Sequence, residues 1–436
     1  MTISASATGP DRAARDWFGH PRGLTILFLT QMWECFSFFG MRALLVYYMI
    51  RELGFTQQKA SLIYGAYTAL IFLTPMAGGA LSDRWLGRRK AVTLGATIMA
   101  LGHFMMASQP LFYPALITIA LGSGLFTPSL PSQIRELYAP EDPRRLGSYN
   151  VYYVGVNTGG FLAPLICGAL GETFGWHWGF GAAGVGMAVG LAIYLLGGRW
   201  LPEEPKTGPR RDRAAAVDPA PGRWRLLAAT GFAVVLFRGA YEQMGNTIAV
   251  WAATGVDRGV LGHAIPMTWF QAMNPLFIVL LTPLVLAYWR RHTARRSEMP
   301  PLFRMAIGGG IVAAAYLILS AVAALSPAGS ASWAWLVLFI AIVTLGELWI
   351  LPVGLGLFGR LAPAGMAATM IAAWYLAGFA GNILAGVIGA LLTDLGPAPF
   401  FSLMAAVAAS AGAALFVLNR RFGALAAHDP EAGADR

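Results

Sequence analysis

The sequence predicts an all-α membrane protein: twelve transmembrane helices in two six-helix bundles. Three observations predict it. The 436 residues are 57% hydrophobic and 12% charged, with a mean hydropathy of +0.58, and a soluble domain carries about twice that charged fraction. The apolar residues gather into twelve runs, each close to the roughly 20 residues that cross a bilayer as a helix. A polar insert at 199–225, containing LPEEPKTGPRRDRAAAVDPAPG, divides those runs six and six. This composition excludes an ordinary water-soluble enzyme.

The elements follow in order. A polar arm, residues 1–22, carries Arg12, Arg15 and Arg22 ahead of the first run, 23–50. That run is too long for a signal peptide and has no small-residue cleavage site, so it is expected to remain in the mature protein. Runs at 58–82, 90–108, 111–134, 147–170 and 177–198, bounded by charges and turn residues, complete an N-terminal bundle over 23–198. The insert at 199–225 reads as a linker. Runs at 226–252, 264–289, 303–326, 331–358, 365–392 and 397–419 form a C-terminal bundle over 226–420, and 421–436 is a tail.

The basic residues set the orientation. Of the 29 Lys and Arg other than Arg42 and Arg238, 26 fall in the arm, the linker, the tail and the loops or run ends on their side. The positive-inside rule therefore places both termini in the cytoplasm, which an even number of spans satisfies. The net charge of +10 is then a topology signal and a lipid-facing inner rim, not a nucleic-acid surface. Cys35 and Cys167 lie inside apolar runs and give neither a disulfide framework nor a metal spacing. No phosphate-loop pattern G-x-x-x-x-G-K-[ST] occurs, which disfavours an ATP-driven pump. No cofactor or metal is expected, the expected functional unit is the monomer, and the expected location is the plasma membrane, the inner membrane of a bacterium.

The loop after the second run reads GGALSDRWLGRRK, residues 78–90. Its Asp83, Arg84, Gly87, Arg88 and Arg89 resemble the inner-loop motif of the major facilitator superfamily, where charges pair with helix ends to hold the cytoplasmic gate and glycine allows a tight turn. A merely basic loop would explain the arginines but not Asp83 or the glycines. Further stretches resemble one branch of that superfamily, the proton-dependent oligopeptide transporters: QMWECFSFFGMR (31–42), YYVGVNTGGFLAPLICG (152–168), GWHWGFGAAGVGM (175–187), YEQMGN (241–246), FQAMNPLFIVLLTPL (270–284), GELWILPVGL (346–355) and AAWYLAGFAGNILAG (372–386). Each is weak alone; their order through both halves is specific. The linker has no room for the two extra helices that many bacterial members carry there.

The departures from the family pattern are as informative. The resemblance implies two carboxylates and an arginine in the first-run motif, a second arginine seven residues later, and a lysine on the fourth run. Here those positions read Gln31, Glu34, Cys35, Arg42 and Thr127, and two tyrosine positions near peptide read Phe39 and Phe72. Residues 35, 39 and 42 share one helical face, so the expected cavity wall is Cys, Phe and Arg. It is more apolar than the family's and offers one cation.

Five ionisable groups fall within runs: Glu34, Arg42, Arg238, Glu242 and Glu347. Charge at membrane depth is costly, so these face a cavity or one another. Arg238 and Glu242 are one turn apart and can pair as a structural lock; alternatively Glu242 gates or transfers protons and Arg238 replaces cationic character lost at Cys35 and Thr127. Glu347, beside Pro352, is expected to bind a substrate amine or a proton. Asn157 and Asn274 match family positions that hydrogen-bond peptide, with helix packing as the competing use. Trp374 fits an apolar side-chain pocket or plain packing, and His103 reads as a packing residue. The expected substrate-binding set is thus Arg42, Phe39, Asn157, Asn274, Glu347, Trp374 and Arg238; the proton-coupling or gating set is Glu34, Glu242, Asp83, Arg84 and Arg88.

The resemblance implies a secondary transporter moving di- or tripeptides, or peptide-like solutes, by alternating access with proton symport. The nearest alternative is a facilitator or exporter of a more apolar solute without proton coupling through the first-run motif. A non-transporting membrane receptor is the alternative from another class, and retention of Arg42, Glu347 and the inner-loop charges weighs against it.

Overall fold

The computed structural model describes residues 16–17, 19–139, 142–202, 222–362 and 366–427. Most of the 1–22 arm, nearly all of the 199–225 linker and the end of the tail lie outside the described residues.

Twelve long helical segments run through them. The first six are α1 Arg22–Arg51, α2 Gln57–Leu81, α3 Arg88–Met105, α4 Phe112–Ser132, α5 Arg144–Ala163 and α6 Trp176–Leu196. The second six are α7 Arg223–Tyr241, α8 Trp269–Arg295, α9 Pro301–Leu325, α10 Trp333–Arg360, α11 Ala367–Gly389 and α12 Pro397–Ala427. Ten of them, counted with their continuations, are long and apolar enough to cross a membrane. The two that fall short, α3 and α7, each carry three basic residues in 18 or 19 positions: Arg88, Arg89 and Lys90 on one, Arg223, Arg225 and Arg238 on the other.

Two runs expected to be unbroken are not regular. Helix α5 widens through a π turn at Pro164–Gly168, where Pro164 has no N–H to give the helical ladder, before a last stretch at Ala169–Phe174. The seventh run, expected as a single helix over 226–252, tightens into a 3-10 turn at Glu242–Gly245 and resumes as Thr247–Thr254. The break falls where the buried polar residues Glu242, Gln243, Asn246 and Thr247 cluster. Their side chains satisfy one another and the backbone: Thr247 Oγ1 donates to Gln243 Oε1 at 2.9 Å, and Gln243 Nε2 donates to the Ala385 carbonyl at 2.9 Å.

Between apolar helices in lipid, close packing replaces the hydrophobic drive, and small residues set how near two helices come. Where α2 of the first half crosses α11 of the second, a Cβ at Gly65 would lie 2.5 Å from the Gly386 Cα, so the halves meet backbone to backbone. The inner loop turns at Gly87, φ 76°, as the glycine in its motif requires.

Apart from a contact between Arg42 and Glu242 at mid-depth, the hydrogen bonds that join the halves among the described residues share one end of the molecule. Tyr47 donates to the Ala249 carbonyl at 2.9 Å and Ser61 donates to Asn246 at 2.8 Å. Gln57 reaches the Gly389 carbonyl at 2.9 Å, and Gln271 reaches the Ala43 carbonyl at 3.1 Å. Glu172 accepts from the backbone N–H groups of Met267 and Thr268, at 3.0 and 2.9 Å, capping the entry to α8. All of these lie toward the end away from the 199–225 linker. Among the described residues no hydrogen bond or ion pair ties the halves together at the linker end.

Candidate functional site

At mid-depth the two halves enclose a cavity of about 330 Å³. Phe39 and Arg42 of α1, Phe72 of α2 and Asn157 of α5 line it from the first half; Arg238, Tyr241, Glu242, Asn274 and Glu347 line it from the second. Its wall is mostly apolar, so the few polar groups that reach it decide what can bind.

Glu242 stands at the centre of the charge. It begins the 3-10 turn, and helical register sets Arg238 one turn before it. Arg238 Nη1 donates to Glu242 Oε1 at 3.0 Å, while Arg42, from the opposite half, donates through Nη2 to Oε2 at 2.6 Å. One carboxylate is therefore shared by two guanidinium groups, with both oxygens occupied. Arg42 also donates through Nε to the Tyr64 hydroxyl at 2.6 Å. The Arg238 guanidinium lies 4.6 Å from the Phe72 ring centroid, a cation–π contact in a site shielded from water. The cluster carries a net positive charge.

Glu347 forms the other pole. Asn274 donates to Glu347 Oε2 at 2.9 Å and to Thr344 Oγ1 at 3.0 Å, which fixes the amide between them. Tyr241 lies beside the same carboxylate. No cation among the described residues forms an ion pair with Glu347. Asn157 lines the cavity and donates to the Tyr153 carbonyl one turn back at 2.9 Å.

Six of the seven residues expected to bind substrate thus reach one cavity. Trp374 does not. It is buried in the second half, its ring edge-on to Phe358 with centroids 5.4 Å apart, in the space left by Gly354. Cys35 also departs from the expected wall: Phe39 and Arg42 line the cavity, but Cys35 is buried beside it in contact with α5 at Gly159. There Gln31 Nε2 donates to Glu34 Oε2 at 2.7 Å and to Cys35 Sγ at 3.1 Å, and the Tyr152 hydroxyl donates to Gln31 Oε1. Glu34, a candidate for proton coupling, sits in this pocket of neutral groups with no ion-pair partner among the described residues.

Among the described residues the inner-loop charges do not bridge the halves. Asp83 and Arg84 are exposed. Arg88 pairs with Glu136 at the end of α4, and Arg89 donates to the Gly198 and Leu201 carbonyls at 2.7 and 2.8 Å. Both ties stay within the first half.

The POT family model matches residues 89–217 and 226–399. The chain belongs to the POT family. Among curated relatives, it is 33% identical to the peptide transporter YePEPT of Yersinia enterocolitica, over 86% of this chain and 88% of that one. It is 29% identical to a di-/tripeptide transporter of Lactococcus lactis, over 94% and 97%. A solved structure of a peptide transporter in complex with sulfate superimposes with a TM-score of 0.89 at 27% identity, covering 95% of this chain and 98% of that one. The fold is thus that of the major facilitator superfamily, and the protein is an integral membrane transporter of the POT family rather than an enzyme.

Within this POT family site, sequence reasoning missed the tyrosines. Tyr64 holds Arg42 from α2, and Tyr241 stands between the two carboxylate poles. Tyr241 precedes Glu242 in the YEQMGN stretch, so the motif could have pointed to it. Tyr64 lies in no motif, and only the packing of α1 against α2 brings it to Arg42.

Proposed function

We propose that this protein moves di- or tripeptides, or peptide-like amphipathic solutes, by alternating access driven by a proton gradient. The observation that carries this reading is the pair of opposite poles in one cavity: a doubly held carboxylate with two arginines, and Glu347, which among the described residues pairs with no cation. In this reading the substrate carboxylate takes the place of Glu242 between Arg42 and Arg238, its amine meets Glu347, Asn157 and Asn274 meet its amide groups, and apolar side chains rest on Phe39 and Phe72. The relatives named for peptide transport support a peptide substrate, and the sulfate complex of a related transporter is in keeping with an anionic group on it.

Alternating access needs two states of different substrate and proton affinity. The hydrogen bonds between halves at the end away from the linker support a state closed there and opening toward the linker. With the basic loops on the cytoplasmic side, this state is inward-facing, both termini are cytoplasmic, the membrane is the bacterial inner membrane and the working unit is a monomer. A cysteine at Arg225 is then labelled by an impermeant reagent only after permeabilisation; labelling in intact cells reverses the topology.

The departures on α1 favour a second reading, movement of a more apolar solute without proton coupling, because Glu34 lies among neutral groups. Uptake of a dipeptide mixture into proteoliposomes separates the two. Accumulation that requires an imposed inward proton gradient supports peptide symport, whereas equilibration insensitive to the gradient supports the second reading.

A further inference from the structure

One side of α8 is left bare, and its residue types change in order along the helix. Leu280, Leu284 and Tyr288 are 54%, 65% and 50% exposed. Arg291 and Arg295 continue the series and are exposed as well. At 3.6 residues per turn, these five side chains fall within about 80° of one another around the helix. With His292 and with Arg296 just past the helix end, Tyr288, Arg291 and Arg295 line a hollow of about 300 Å³. Leu280 to Arg291 spans about 17 Å at 1.5 Å per residue, close to half of the roughly 30 Å hydrocarbon thickness of a bilayer.

Basic residues at a helix C-terminus favour the helix dipole, and basic loops favour one side of the membrane. Either cause would be met by cations on any side of α8. Neither explains their alignment with a bare apolar stripe through an interfacial tyrosine, or the hollow they form. Nor are these cations neutralised: Arg291, Arg295 and Arg296 form no ion pair among the described residues, and the neighbouring carboxylate, Glu298, is held by Arg304 at 3.0 Å. His292 Nδ1 is buried without a hydrogen-bond partner.

We propose that this side of α8 is a binding site for an anionic phospholipid. The phosphate headgroup sits in the hollow among Arg291, His292, Arg295 and Arg296, and one acyl chain lies along Leu284 and Leu280. The site lies outside the central cavity and does not depend on which solute is carried.

The test uses the full-length protein, purified and delipidated, and native mass spectrometry with added phosphatidylglycerol, cardiolipin or phosphatidylcholine. The anionic lipids bind at least tenfold more tightly than phosphatidylcholine. The triple variant R291Q/R295Q/R296Q weakens their binding on the order of a hundredfold, from roughly fivefold per arginine at a membrane surface. The control R225Q/R290Q/R421Q removes the same charge from the same end but off this face, and leaves binding within about twofold. Equal binding of all three lipids, or equal loss in both triple variants, overturns the site. Inorganic phosphate that competes the lipids off at millimolar concentration also overturns it, because the acyl stripe would then contribute nothing. If the first triple variant does not fold, the single variant Leu284→Glu carries the test: it blocks the stripe, so phosphatidylglycerol binding unchanged by it overturns the proposal.

Discussion

Two buried carboxylates in this protein have opposite surroundings. Glu34 on α1 touches an amide and a thiol, with a tyrosine hydroxyl behind the amide, and pairs with no cation among the described residues. Glu242, at the break after α7, is gripped by two arginines, one from each half. In the family pattern that the sequence resembles, the arginine of this pair belongs beside Glu34; here that position is Cys35. The cavity thus holds two cations, Arg42 from α1 and Arg238 from α7, and in the proposed reading Arg238 supplies positive charge that Cys35 does not.

The largest effect that can break this comparison is on stability. Removing one partner of a buried ion pair leaves an uncompensated charge, at a cost of about 3 to 5 kcal/mol. Glu242→Ala strands both Arg42 and Arg238 and is expected to lose that much in thermal unfolding. Glu34→Gln strands no cation and keeps its partners, so it is expected to cost less than about 1.5 kcal/mol, the scale of a neutral hydrogen bond. Equal losses would mean that the two environments do not differ as described.

A second substitution sharpens the contrast within the second half. Glu347 is held by an amide and has no ion-pair partner among the described residues, so its carboxylate is available to a ligand. Glu347→Gln preserves size and the contact to Asn274, and is expected to weaken binding of amine-bearing substrates about 10- to 100-fold, the range of one charge-assisted hydrogen bond. Binding of the same peptides with a blocked N-terminus is expected to change little. Unchanged affinity for free-amine peptides in purified protein would remove Glu347 from the site.

The smallest effect is expected at the rim. At the start of α5, Arg144 holds the Asp142 carboxyl down to about 2 from 3.8, through side-chain and backbone hydrogen bonds. Whatever this exposed pair adds to stability is present above the unfolded value and lost only as pH falls through about 2. Asp142→Asn is therefore expected to leave the pH profile of transport between 5 and 8 unchanged; a shifted profile would place a coupling group at the rim instead of within the cavity.

Architecture was legible in the sequence because lipid imposes it: apolar runs of one length, with basic loops on alternate sides, admit few other folds. The Arg238–Glu242 pair was legible from helical spacing alone. Arg42 as the second partner of Glu242 was not, since no spacing relates residues 200 apart. Cys35 was misplaced because a shared helical face ignores how wide the cavity is, and α5 packs over that part of α1 at Gly159. Trp374 was misplaced because an aromatic residue near a motif can face either way, and Gly354 opens space for it inside the second bundle. The break at Glu242 was hidden by the apolar residues on both sides of it.

The proposal that Arg238 shares the substrate carboxylate with Arg42 is tested most directly by the affinity ratio between a dipeptide and its C-terminally amidated form. In the wild-type protein the free carboxylate is expected to bind about tenfold more tightly than the amide. In Arg238→Ala that ratio should fall toward one while Arg42 remains, with Arg238→Lys recovering part of it. A ratio unchanged in Arg238→Ala, with stability restored when Glu242→Ala is added, would show that Arg238 only locks Glu242 and would contradict the claim.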